Sequence, residues 1–162
     1  MKSRIIIFLN FIFLFLQNNF ASSPYFKNYS VEDGLPYIQI NALLRDSQGF
    51  LWTGGYGGLS RFNGKVFQNF SPAEGLVNYT VTSIAEGKNN EIFIGTVKGI
   101  SSYKNGIFKN ISKKEGLQNS YINQIKITEN GTLLAATRGG IFVKENNNSF
   151  TIRKIKRQNK RT

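Results

Sequence analysis

Neither cysteine nor histidine occurs anywhere in the 162-residue chain. The first absence removes disulfides, thiol nucleophiles, Cys-based zinc sites and iron–sulfur clusters. The second removes the Ser-His-Asp and Cys-His arrangements, and with them any imidazole for metal binding or proton transfer near neutral pH. Acidic residues are scarce too, nine Asp and Glu against 21 Lys and Arg. Most of the nine, such as Asp33, Asp46, Glu74 and Glu115, fall at turn positions, where a carboxylate serves the local backbone. No two are phased to converge as a glycosidase pair. A non-enzymatic protein is therefore expected, with no catalytic residue, no metal and no cofactor.

Long hydrophobic runs are missing as well. The longest, Ile5 to Leu16, is interrupted by Asn10 and falls short of the roughly 20 residues that a membrane-spanning helix needs. Lys2 and Arg4 precede it and the small residues Ala21, Ser22 and Ser23 follow, so residues 1–21 read as a secretory signal peptide. An uncleaved leader, which would hold the chain at the membrane, is the alternative. At the other end, six of the basic residues crowd between Arg153 and Arg161, and the pI near 10.0 owes much to them. Charge concentrated in a tail does not argue for a nucleic-acid partner. Residues 157–162 read as a solvated basic tail, with anionic lipid or polysaccharide as the alternative contact.

Between these ends the chain repeats itself. Asp33-Gly34-Leu35, Glu74-Gly75-Leu76 and Glu115-Gly116-Leu117 recur every 41 residues, as do Trp52, Phe93 and Leu134, then Gly58, Gly99 and Gly140, then Phe26, Phe67 and Phe108. Repeats of about 40 residues built from short strands are propeller blades, whereas helical repeats would show 3.6-residue apolar spacing. In the first unit, strands are expected over 38–45, 50–53, 59–62 and 65–70. Turns separate them at 46–49, at the glycines 54, 55, 57 and 58, and at Asn63-Gly64, the last predicted as a type I′ hairpin.

The run Asp46-x-x-Gly49-x-Leu51-Trp52-x-Gly54-x-x-x-Gly58-Leu59-x-Arg61-Phe62, followed by Glu74-Gly75-Leu76, resembles the two-component regulator propeller repeat. Later units depart from it, with Gly87, Asn90 and Phe93, then Thr128 and Leu134, at the corresponding places. The resemblance implies an all-β fold of four-stranded antiparallel propeller blades. It also implies a place in the periplasmic sensor region of a hybrid two-component histidine kinase, where oligosaccharides are detected. The expected layout is residues 22–35 as an N-terminal closing strand and blades at 36–76, 77–117 and 118–156. Three blades and one strand make an open arc rather than a ring, because propellers generally have four or more blades.

Two functional readings follow. One is the non-catalytic N-terminal fragment of such a sensor, binding an oligosaccharide or making dimer contacts. The other is a free-standing exported scaffold that assembles with the missing blades or with another propeller chain. Both place the protein in the periplasm or outside the cell. Trp52, at a position that is apolar in all three units, is expected to pack between blades. Ligand binding is expected on the loops between blades and between second and third strands: Tyr37, Gln39, Tyr56, Asn78, Lys98, Asn119, Tyr121 and Arg138. Amides and aromatic rings suit hydroxyl-rich sugars, while Lys98 and Arg138, one register step apart on successive units, suit carboxylate or sulfate.

Overall fold

The computed structural model describes residues 25–115, 117, 119–144 and 150–151. The expected signal peptide and basic tail lie outside them. Twelve strands form three sheets of four, each antiparallel and in chain order. The first blade has β1 (Ile40–Arg45), β2 (Leu51–Gly55), β3 (Gly58–Phe62) and β4 (Phe67–Phe70). The second has β5 (Val81–Glu86), β6 (Ile92–Thr96), β7 (Gly99–Lys104) and β8 (Ile107–Ile111). The third has β9 (Ile122–Ile127), β10 (Leu133–Thr137), β11 (Gly140–Lys144) and β12 (Phe150–Thr151). None of the sheets closes on itself, so the described residues form an open arc of three blades.

A single blade has no interior; its apolar side chains are buried by the next blade. Trp52, Leu59, Phe70 and Leu76 of the first unit pack on Val81, Ile92, Ile94 and Tyr103 of the second. One period later, Phe93, Ile100, Ile111 and Leu117 pack on Ile122, Leu133 and Ala135 of the third. The two interfaces use the same register positions, which is why the period tolerates no insertion. Backbone approach is close at their centre. A Cβ on Gly54 would lie 2.3 Å from Val81 Cγ1, and one on Gly95 would lie 2.7 Å from Ile122 Cγ2.

Trp52 is 1% exposed and its ring lies 5.4 Å from that of Tyr103 on the neighbouring blade. Its Nε1–H needs an acceptor at that depth. Asp46, itself buried, supplies one: Oδ2 accepts from Trp52 Nε1 at 2.7 Å, and Oδ1 accepts the Gln48 and Phe50 N–H groups at 3.0 and 2.8 Å. In the second blade both partners change together. Phe93 has no N–H to satisfy, and the Asp46 position is Gly87, where a Cβ would meet the Phe93 ring at 2.6 Å. The departure at residue 87 is thus a coupled substitution.

Each blade leads to the next through a capped 3-10 turn. Ser71 N–H donates to Glu74 Oε2 at 2.7 Å while Ser71 Oγ accepts the Ala73 N–H at 3.1 Å, and Gly75 closes the turn at φ 110°. Ser30 with Asp33, and Ser112 with Glu115, repeat the contact. Asn69 Nδ2 donates to Gly34 O at 2.9 Å and Asn110 Nδ2 to Gly75 O at 3.0 Å, tying the preceding turn to the last strand of each blade.

Two expectations are corrected. Residues 25–30, in the predicted closing strand, form no strand. A fourth strand needs a third strand to pair with, and no described strand pairs with this segment; Tyr29 instead packs edge-on against Phe62 of β3 and Phe67 of β4. At Asn63-Gly64 the type I′ hairpin is absent, because the ladder stops at Phe62↔Phe67 and leaves a four-residue loop. Asn63 Oδ1 accepts both Lys65 and Val66 N–H at 2.9 Å, which holds its backbone out of the left-handed region. The left-handed Asn-Gly pair occurs one unit later, at Asn105 (φ 49°) and Gly106 (φ 83°), between the paired Lys104 and Ile107.

Trp52→Ala is expected to lower unfolding free energy by roughly 3–5 kcal/mol in urea denaturation. Because the indole and the carboxylate depend on each other, Asp46→Gly combined with Trp52→Phe should cost less than the sum of the single changes; additivity would contradict the coupling. The caps predict a pH effect. Hydrogen bonds from Ser71, first its side chain and then its backbone, hold the Glu74 carboxyl below the ordinary 4.5, and Ser112 does the same for Glu115. A carboxyl depressed in the folded state contributes stability above 4.5 that is lost as pH falls below it. A Glu74→Gln, Glu115→Gln variant should therefore lose less stability than the parent between pH 6 and pH 3, read as the shift in Tm.

Candidate ligand-binding face

Antiparallel order puts the turn between second and third strands at the same end of a blade as the linker that enters it. Linker and turn are joined by backbone bonds: Val97 N–H donates to Thr80 O at 3.2 Å and Arg138 N–H to Tyr121 O at 3.3 Å. In the first blade a Cβ on Gly57 would meet Tyr37 Cβ at 2.8 Å, so the turn lies directly against the linker. All eight predicted loop residues therefore belong to one end of the arc.

Within that end the structure forms two aromatic clusters. Tyr37 and Tyr56, about half exposed, meet edge to face with ring centroids 6.2 Å apart. On the third blade the Arg138 guanidinium lies 3.8 Å from the Tyr121 ring centroid, a cation–π stack with the charge exposed. Asn78 and Asn119 are partly occupied by their own loops: Asn78 Oδ1 accepts the Thr80 N–H at 3.0 Å and Asn119 Oδ1 the Tyr121 N–H at 3.1 Å. Gln39 and Lys98 are exposed. The two cations lie one register position apart on successive blades. Arg138 takes the first turn position, shared with Tyr56 and Val97, whereas Lys98 takes the second, shared with Gly57 and Gly139.

Sequence reasoning missed the feature beneath these loops. The innermost strand of every blade carries a β-bulge two residues past the linker, at Asn41, Thr82 and Asn123, again 41 residues apart. A bulge puts one extra residue outside the ladder and re-aims its side chain. The three bulge residues line an open groove of about 410 Å³ together with Leu43, Ser83, Gln124 and others. Cross-blade hydrogen bonds hold its walls: Asn41 Nδ2 donates to Val81 O at 3.2 Å, and Ile125 N–H donates to Ser83 Oγ at 2.8 Å. Thr82 Oγ1 is buried without a hydrogen-bond partner. The 41-residue spacing of Asn, Thr and Asn was the available signal. Among the described residues no group of three acidic side chains is placed to hold a metal ion.

Comparison with known proteins agrees with this architecture. Residues 34–57 match the family described as two component regulator propeller. Curated protein sequences gave no match. Among solved structures, the extracellular domain of BT3049 from B. thetaiotaomicron, described as a hybrid two component system, superposes with TM-score 0.68 at 25% identity, covering 76% of this chain and 18% of that one. The extracellular domain of BT4673 from the same organism, described as a one component system, gives 0.61 at 28% identity, covering 72% and 16%. Virginiamycin B lyase from Staphylococcus aureus gives 0.60 at 16% identity over 74% of this chain, a likeness that establishes the fold alone. The chain thus carries a two component regulator propeller repeat and is similar to extracellular propeller domains of such systems. It spans less than a fifth of the length of either of those domains. No described helix is long and apolar enough to cross a membrane.

Proposed function

We propose that this chain supplies non-catalytic blades to the periplasmic sensor propeller of a two-component system, and that it receives an acidic oligosaccharide at the loop end of the arc. The observation that carries the reading is the recurrence of a bulged polar residue in every blade, Asn41, Thr82 and Asn123, beneath the Tyr37–Tyr56 and Tyr121–Arg138 clusters. Aromatic faces take the apolar faces of sugar rings, amides and hydroxyls take their hydroxyl groups, and Arg138 with Lys98 supplies charge for a carboxylate or sulfate. The signal-peptide pattern of residues 1–21 supports export, and the extracellular domains of two component systems to which the chain is similar support the signalling role. The lack of histidine and cysteine supports a binding rather than a catalytic part. A second reading, the free-standing exported scaffold, is favoured by one observation, an apolar face of the first blade on which no described blade packs.

Titration calorimetry of the full chain against matched uronic-acid and neutral oligosaccharides tests the first reading. Acidic sugars should bind more tightly, and the preference should fall as salt shortens the Debye length from about 10 Å at 0.1 M to about 3 Å at 1 M. Replacing Lys98 and Arg138 together by Ala should weaken acidic binding roughly tenfold, at about 0.7 kcal/mol for each exposed charge. Equal affinity for neutral sugars, or an unaffected double variant, would overturn the assignment of this face.

A further inference from the structure

Adjacent blades are clasped across their innermost strands, but not at the same level. Between the first and second blades the clasp is at the bulge, where Asn41 Nδ2 donates to Val81 O at 3.2 Å. Between the second and third it lies one residue further along the strand, where Ser83 Oγ accepts the Ile125 N–H at 2.8 Å. The sequence exchanges the two devices: the first blade has Ala42 at the position of Ser83, and the second has Thr82 at the position of Asn41. A threonine side chain ends one bond short of an asparagine amide. Thr82 accordingly makes no bond to Ile122 O, the carbonyl in the register of Val81 O.

Thr82 Oγ1 is thus left buried without a partner in the wall of the open groove, where the second blade meets the third. An unpaired buried hydroxyl is a cost that folded chains normally avoid. Threonine moves between staggered χ1 wells, so a hydrogen-bonding group lying in the groove can draw the oxygen out to it. The rest of the wall is polar but uncharged. Asn41, Ser83, Asn123 and Gln124 line it, and no Lys, Arg, Asp or Glu among the described residues does. The cations Lys98 and Arg138 stand instead on the turns between second and third strands.

We propose that Thr82 reads a ligand hydroxyl: an uncharged sugar ring enters the groove and bonds Thr82 Oγ1, while an acidic ring of the same oligosaccharide stays at Lys98 and Arg138. A threonine hydroxyl both donates and accepts, which matches a sugar hydroxyl. Asn41, whose amide is engaged by Val81 O, serves as the interblade clasp instead. A carboxylate in the groove would lose water and meet no counter-charge. The ligand is therefore a mixed acidic and neutral oligosaccharide rather than a run of uronic acids. This inference rests on the reading of the loop end as a sugar-binding face, and it adds where each kind of ring lies.

The test titrates two disaccharides into the full chain by calorimetry: glucuronic acid joined to glucose, and glucuronic acid joined through the same bond to a second glucuronic acid. The parent should bind the mixed disaccharide more tightly. Thr82→Val, which keeps the shape and removes the oxygen, should weaken the mixed disaccharide roughly fivefold and leave Tm unchanged or raised. Thr82→Ser, which keeps the oxygen, should bind as the parent does. Thr82→Asn should gain the bond to Ile122 O, raising Tm while weakening the mixed disaccharide. A lower Tm in Thr82→Val would show the hydroxyl already bonded within the free chain and would overturn the proposal. So would a mixed disaccharide that binds Thr82→Val and Thr82→Asn as it binds the parent yet is weakened by Lys98→Ala with Arg138→Ala; that result would leave the sugar-binding face standing. A parent that binds neither disaccharide would overturn both.

Discussion

Every blade of this protein depends on the blade beside it. Four short antiparallel strands present two faces and enclose nothing, so the apolar side chains leave water only where one sheet lies on the next. The chain meets that constraint by repeating one interface. Trp52, Leu59, Phe70 and Leu76 enter the wall made by Val81, Ile92 and Ile94, and their counterparts Phe93, Ile100, Ile111 and Leu117 enter the wall made by Ile122, Leu133 and Ala135. Gly54 and Gly95 set the distance of approach, since a methyl group at either would collide with the neighbouring β-branched residue.

The polar groups follow from this packing. Burying an indole between sheets obliges the chain to provide an acceptor, and Asp46 does so while also closing the β1–β2 turn. Where the indole becomes a phenyl ring, the carboxylate disappears. Serine caps and the asparagines Asn69 and Asn110 fasten each linker to its blade, which fixes where the linker delivers the next inner strand. The bulge at the start of that strand then turns one polar residue per blade toward the groove. Packing, capping and the candidate ligand face are thus successive consequences of one register.

Much of this was readable in the residues. The 41-residue interval identified the blades, the inward role of Trp52 and the end at which the loops gather. The bulges escaped because Ile40-Asn41-Ala42 reads as ordinary alternation; only a backbone register reveals that Asn41 has no partner across the ladder. The 25–30 segment has the composition of a fourth strand, yet strand formation depends on a neighbour that composition cannot supply. At Asn63 a side chain that can either tolerate a left-handed turn or bond its own backbone did the second. The contacts within the loop end were not readable either. Tyr121 and Arg138 are 17 residues apart, and only the hairpin between them brings guanidinium and ring together.

The central claim is that the sheets persist because adjacent blades bury one another, and the single tryptophan reports on that directly. Trp52 lies at the junction of the first and second blades, so its fluorescence follows the interface while far-UV circular dichroism follows the strands of all three described blades. Denaturation in urea should give coincident transitions by the two probes, with one midpoint and one slope. A fluorescence transition completed at lower urea while the strand signal persists would show that blades stand without their neighbours, contradicting the account.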